Sequence, residues 1–249
     1  MNEYVLAVHQ GRLSKRQRGA AEPDRWESHL RSKRNFFVIQ RHQATAHHYD
    51  LRLRLDDDLI SWAIPKGPLG LTKDHHQHQA VETTLHNLNY AVVEGSESRA
   101  AGRGTARGTM VWDIGRYSIV NRKGESDDDN DSVNEEDDED EDGAFEEAKL
   151  RHALKVIKEG DGEKQSFHII LHGQKLTNHD NKYKADGGIK RNCLVVLPGH
   201  RKGYPWGAGG EDGDEHGRSV KTGRTFAEVC NGPPQSLGDL LSHWQESCE

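Results

Sequence analysis

Gln40–Leu55 reads QRHQATAHHYDLRLRL, and its second half decides the fold. From His48 to Leu55 polar and apolar residues alternate. Side chains of a strand alternate between faces, so Tyr49, Leu51, Leu53 and Leu55 point one way. His48, Asp50, Arg52 and Arg54 point the other way. One face is apolar and must meet a core, while the other sets an imidazole, a carboxylate and two guanidiniums in a row. In the preceding run Gln40 and His42 share one parity. The five residues between His42 and His48 suffice for a short hairpin connection, which would bring His42 beside His48 and Asp50.

Outward from this stretch, short β-rich runs recur between Gly, Asn and Asp: NFFVIQRH, LISWAIP, GTMVWDIGRYSIV, SFHIILHGQKL and CLVVL. Helical patterns are fewer: PDRWESHLRSKR, GAFEEAKLRHALKVIKEG with Leu150, Leu154 and Ile157 at helical spacing, and SLGDLLSHWQES. Many short strands with few helices predict an antiparallel barrel or sandwich. There is no internal repeat. Gly203–Gly223 is Gly-rich and polar and reads as a linker or loosely held tail.

Charge divides the chain further. Glu125–Glu147 holds 15 acidic residues and no Lys or Arg; without them 26 acidic residues face 34 basic ones, a net +8. The acidic run cannot bury apolar area and repels itself, so it is expected as a disordered insert, either a spacer or a mimic of nucleic acid. The basic remainder suits a phosphate-rich partner. Cys193, Cys230 and Cys248 form no CxxC pair, which excludes a disulfide framework or zinc-finger spacing and fits a reducing compartment. No apolar run approaches the ~20 residues of a membrane span, and the N-terminus lacks a signal-peptide core. There is no Walker loop or nucleophile elbow.

Two imidazoles and a carboxylate form a facial ligand set with open positions, suited to Mn²⁺, Fe²⁺ or Zn²⁺. Arg52 stands on the same face about 7 Å along the strand, where a guanidinium can meet a metal-held phosphate. Lys66, in the turn after LISWAIP, is within reach of a phosphate. VETTLHNLNYAVVEG reads as a half-buried strand with His86 and Tyr90 on one parity. His86 is a candidate to donate to a phosphate oxygen or protonate a leaving group. The tract of His75, His76 and His78 ranks below the first set as a ligand group.

FVIQRHQATAHHYDLRLRL, SWAIPKGP, AVETTLHNLNYAVVEG, GTMVWDIGRY and FHIILHGQKL together resemble the 3'-phosphoesterase domain of bacterial DNA ligase D, here as a stand-alone homologue. The resemblance covers Phe37–Leu197 apart from the acidic insert, and SVKTGRTFAEV is similar to the segment that follows the domain in those ligases. It implies a compact antiparallel β-barrel with a few flanking helices. It also implies a Mn²⁺-dependent enzyme that removes a 3'-terminal ribonucleoside and then the 3'-phosphate, leaving a 3'-OH. By motif position His42, His48 and Asp50 correspond to metal ligands, and Arg52 and His86 to phosphate contacts. Gln40, Lys66 and Tyr90 correspond to residues that support activity.

Arg16 and Glu22 correspond to an N-terminal element used in ribonucleoside removal, but Gln17 stands where the family has Asp. His78 occupies a position where the family has a basic residue. SESRAAGRGTARG replaces a family turn, placing Arg99, Arg103 and Arg107 where a nucleic-acid backbone would pass.

The expected organisation is an arm and helix over 1–35 and a barrel over 36–200, interrupted by the insert at 124–147. A linker and helical tail follow over 201–249. The expected substrates are DNA or RNA–DNA 3' ends of a primer–template, with a repair ligase or polymerase as partner and the protein itself a monomer. The alternatives are a non-catalytic end-binding protein and a cyclic-phosphate phosphodiesterase. KRQR, RSKR and the acidic run lean towards a nuclear rather than cytoplasmic protein.

Overall fold

The computed structural model describes residues 33–44, 46–72, 77–96, 107–120, 142–159, 166–176, 179–185, 192–196 and 204–232. Within them lie β1 Phe36–Gln43, β2 His47–Leu55, β3 Asp58–Ile64, β4 Gln77–Glu82, β5 His86–Asn87, β6 Gly95–Ser96, β7 Gly108–Val120, β8 Ser166–Gly173, β9 His179–Ala185 and β10 Asn192–Val196. Two α-helices accompany them, α1 Ala144–Glu159 and α2 Phe226–Asn231. The ladder runs β1-β2-β3-β4-β10-β9-β8-β7, and β7 pairs back onto β1. All these pairs are antiparallel. The eight strands therefore form the curled antiparallel barrel expected of so many short β-rich runs; β5 and β6 are two-residue additions on β3 and β7.

The β1–β2 hairpin has the register that alternation demands: Gln40 faces Asp50 and His42 faces His48. The β2–β3 turn is Asp56–Asp57, with Leu55 opposite Asp58. Asp56 takes a positive φ of 58°, a conformation that Asp tolerates better than most residues. The apolar face of β2 enters the main core with Phe37, Ile39, Trp62, Trp112 and Tyr117. The polar face is not left to solvent. Val38, Leu59, Val111 and Ile114 make a second cluster with Ala91 and Val92, so Asp50 and Arg52 sit at 4% and 2% exposure.

Leu85–Val93 departs from the extended run that the parity of His86 and Tyr90 suggests. Only β5 is extended; Leu88–Val92 is a 3-10 helix capped by Asn87, whose side chain accepts from Asn89 N. Capping satisfies an otherwise orphaned N–H, and the turn buries Ala91 and Val92.

Helix α1 forms where Leu150 and Leu154 recur at helical spacing, and Leu150 is fully buried. It takes in the last four residues of the expected insert. Glu147 is buried, accepting from Arg34 Nε at 2.8 Å and from the Asp56 amide at 2.6 Å. The segment 121–141, most of the acidic insert, lies outside the described residues, as do the helix expected at 236–247 and, up to residue 32, the one expected near the start.

Residues 204–232 are no linker. Tyr204 bridges to Leu71, and Trp206 packs on the turn at Gly67 and Gly70. Three charged barrel side chains, Arg41, Lys175 and Glu94, bond to this segment. Its glycines serve tight turns: Gly207, Gly209 and Gly210 all have positive φ. Cys230 of α2 is buried.

Candidate active site

β1 and β2 place three potential ligands at the end of their hairpin. His42 Nδ1 lies 3.6 Å from Asp50 Oδ2, and His48 Nε2 lies 3.6 Å from Asp50 Oδ1. One ligand atom from each of His42, His48 and Asp50 falls within 4.8 Å of the others. No other such group of three occurs among the described residues. His48 Nδ1 lies 3.0 Å from the Ala46 carbonyl. That carbonyl can only accept, so Nδ1 carries the proton and Nε2 keeps its lone pair towards the site, the usual outer support of a ligating histidine. Burial would raise the Asp50 carboxyl, but the His42 and His48 imidazoles beside it and the charge of Arg52 hold it well below the usual carboxylate range. An ionised carboxylate between two imidazoles fits a divalent cation.

Arg52 is fixed from all sides. Its Nε donates to Gln40 Oε1 at 2.7 Å, and Nη1 to Ser61 Oγ at 2.8 Å and His86 Nδ1 at 2.9 Å; Nη2 donates to Asp50 Oδ2 at 2.9 Å. These take four of its five N–H groups. The sequence suggests a guanidinium fork open to phosphate, whereas among the described residues the structure leaves one Nη2 hydrogen uncommitted. The ring of Tyr90 lies beneath, 4.8 Å from Cζ, and stacks with His86 at 4.8 Å between centroids.

His86 accepts from Arg52 at Nδ1, since a guanidinium only donates. The ring is therefore neutral, with its proton on Nε2. Burial and the Arg52 charge both lower it. That makes His86 an N–H donor rather than a source of protons, against the expectation that it protonates a leaving group.

Gln40 is fully buried. Its amide oxygen accepts from Arg52, and its nitrogen donates to the carbonyls of Tyr90 and Val93 at 2.9 and 3.1 Å. It ties Arg52 to the 3-10 helix and presents no free polar atom to a phosphate. Lys66 is exposed in the turn after β3, whose Ala63 faces Asp50. His78 is buried, with Nδ1 2.8 Å from the Gly67 carbonyl; it braces the Lys66 turn. Arg107 is half-buried at the start of β7. Arg16, Gln17, Glu22, His75, His76, Arg99 and Arg103 lie outside the described residues. Ser61 is a site residue that the sequence reading did not single out, although it opens SWAIPKGP; the two-residue turn at Asp56–Asp57 would have placed it opposite Arg52.

Residues 40–182, more than half of the chain, match the DNA Ligase D 3'-phosphoesterase domain. The chain belongs to that family. It is 42% identical over 83 residues to the multifunctional non-homologous end joining DNA repair protein LigD of Mycobacterium tuberculosis, covering 33% of this chain and 10% of that protein. It is 40% identical over 82 residues to the multifunctional non-homologous end joining protein LigD of Pseudomonas aeruginosa, covering 33% and 9%. The matched part thus spans about a tenth of these relatives. Both are bacterial, which lends the nuclear expectation no support. No helix among the described residues is long and apolar enough to cross a membrane.

Proposed function

We propose that the chain is a divalent-metal phosphoesterase that heals 3' ends of DNA or RNA–DNA strands in end-joining repair. The observation that carries the reading is the His42, His48 and Asp50 group within 4.8 Å, joined by the Asp50–Arg52 pair at 2.9 Å. Mn²⁺ is the proposed ion. It would bind through His42 Nδ1, His48 Nε2 and Asp50, and would supply Lewis-acid polarisation of a phosphate oxygen.

The chain's own groups do the rest. The uncommitted Arg52 Nη2 hydrogen and the His86 Nε2–H donate to the other phosphate oxygens and stabilise charge that grows there as water attacks phosphorus. Tyr90 holds both groups in plane. Gln40 and Ser61 keep the guanidinium from turning, so little orientation is lost when substrate arrives. Lys66 approaches the phosphate from its exposed turn. Arg16 and Glu22, on the N-terminal arm of a three-part chain, contact the terminal ribonucleoside. The protein works as a monomer inside the cell, beside a ligase or polymerase that needs a 3'-OH.

The test is an end-labelled primer–template carrying a 3'-phosphate, and a second ending in one ribonucleotide, each with Mn²⁺ and with EDTA. Conversion of the 3'-phosphate, blocked by EDTA and absent from a folded Asp50→Ala variant, is the expected result. Conversion of the phosphate alone would assign the cost of Gln17 to ribonucleoside removal. Retained binding without conversion of either substrate would sink the enzyme reading and favour an end-binding protein.

A further inference from the structure

Residues 204–232 lie beyond the family match at 40–182, yet they touch the ligand hairpin, the Lys66 turn and the 3-10 helix behind the site. The first contact is at the ligand hairpin. Arg41 and His47 flank His42 and His48 in sequence and point to the opposite face. Arg41 is 4% exposed. Its Nε donates to His47 Nε2 at 2.9 Å, Nη1 to Asp212 Oδ1 at 2.7 Å and Nη2 to Glu211 Oε1 at 3.3 Å. Phe226 lies 4.3 Å below its Cζ, and Tyr49 donates to Glu211 Oε2 at 3.2 Å. The second contact is the Lys66 turn. Gly70 N donates to the Tyr204 carbonyl at 2.7 Å, and the Trp206 ring would lie 2.8 Å from a Cβ at Gly67. The third is the 3-10 helix that carries Tyr90. Lys221 Nζ donates to the Val92 carbonyl at 2.7 Å, and the fully buried Glu94 accepts from Ser219, Thr222 and Arg224.

We propose that residues 204–232 are a positioning strap, and that Glu211 and Asp212 set the metal affinity of the site by fixing Arg41 behind the His42–His48 hairpin. A hairpin end is free to fray unless something holds it. Here the two ligating imidazoles face each other one pair before the loop, with His42 opposite His48 and Gln43 opposite His47. Exposed ion pairs contribute little by themselves, and Asp212 is largely exposed. Arg41 is not. Its desolvated guanidinium needs both carboxylates, and losing them leaves a buried charge that must move towards water. That movement takes β1 with it, and His42 is the next residue. Outer groups that orient ligands typically change metal affinity by roughly 10–100-fold.

The inference rests on the metal reading given above, and one experiment separates the two. Mn²⁺ binding to the full chain is measured by calorimetry for three proteins: the unaltered chain, the double variant Glu211→Gln/Asp212→Asn, and Glu147→Gln. The last loosens α1 at Arg34 and Asp56 and touches no site residue. Melting temperatures are recorded alongside. The expected result is about a tenfold rise in Kd for the double variant, and an unchanged Kd for Glu147→Gln even where its melting temperature falls as far or further. An unchanged Kd in the double variant overturns the strap. So does a Kd that rises in both variants in step with lost stability. Absence of Mn²⁺ binding by the unaltered chain overturns the metal reading and the strap together.

Discussion

Arg52 shows how much one residue can depend on its neighbours. Burial costs a charged guanidinium its hydration, and here Asp50, Gln40, Ser61 and His86 replace water around it. Ser61 is the neighbour whose removal is cleanest. Ser61→Ala deletes one acceptor and no ligand, leaving a buried N–H unpaired at about 1–3 kcal/mol. The freed Nη1 no longer aims the fork, so kcat for 3'-phosphate release should fall about tenfold or more with Mn²⁺ affinity unchanged. Arg52→Lys should fare worse, since an ammonium cannot reach Gln40, Ser61 and Asp50 at once. Steady-state kinetics on the labelled primer–template check both; equal kcat in Ser61→Ala and the unaltered chain would remove the serine from this account. At this scale the sequence is informative where chemistry and parity coincide. His42, His48, Asp50 and Arg52 share a face because strands alternate, and their residue types are rare together. Gln40 shares the parity of His42, but Ser61 carries no such mark, and its place depends on register across the second hairpin.

Elements were legible in proportion to how local their cause is. β2 and α1 follow from periods of two and 3.6 in the sequence. The 3-10 helix at Leu88–Val92 does not, because its cap at Asn87 and its burial against Val38 and Val111 outweigh a weak strand pattern. β8 ends for a reason visible only in three dimensions. Asp113, fully buried on β7, accepts from the amides of Gln174, Lys175 and Leu176 at 2.8, 3.0 and 2.9 Å. The carboxylate thereby closes the turn after Gly173. A Cβ at Gly173 would lie 2.2 Å from Asp113 Oδ2. Gly173→Ala should therefore push the carboxylate off the three amides and destabilise the barrel by about 1–3 kcal/mol. Urea unfolding checks it: a midpoint unchanged from the parent would mean that the turn yields freely and that Asp113 is not its lock.

Across the whole molecule the Gly-rich segment was the least legible part, because its composition is that of a linker while its partners lie far away in the chain. Three charged side chains reach it from separate strands or turns: the buried Arg41 from β1, the buried Glu94 from the loop after the 3-10 helix, and the half-buried Lys175 from the turn after β8. Lys175 Nζ donates to the carbonyls of His216 and Arg218 at 2.9 and 2.6 Å, 4.8 Å from the centre of the Trp112 ring. Burial pulls this amine down from 10.5 to about 7. The sign of the consequence follows from linkage. Between pH 7 and 10.5 the unfolded chain binds more protons at Lys175 than the folded one, so raising the pH through that window favours folding. Above 10.5 the amine is neutral in both states, and below 7 it is charged in both. Lys175→Met keeps the length of the side chain and has no proton to lose. The difference in unfolding free energy between the unaltered chain and this variant should therefore shift by on the order of 1–3 kcal/mol in favour of the unaltered chain as the pH rises from 7 to 10.5. Urea unfolding at several pH values gives that difference directly, and a difference that stays flat across the window would mean that the folded amine remains protonated, held by the two carbonyls and the Trp112 ring.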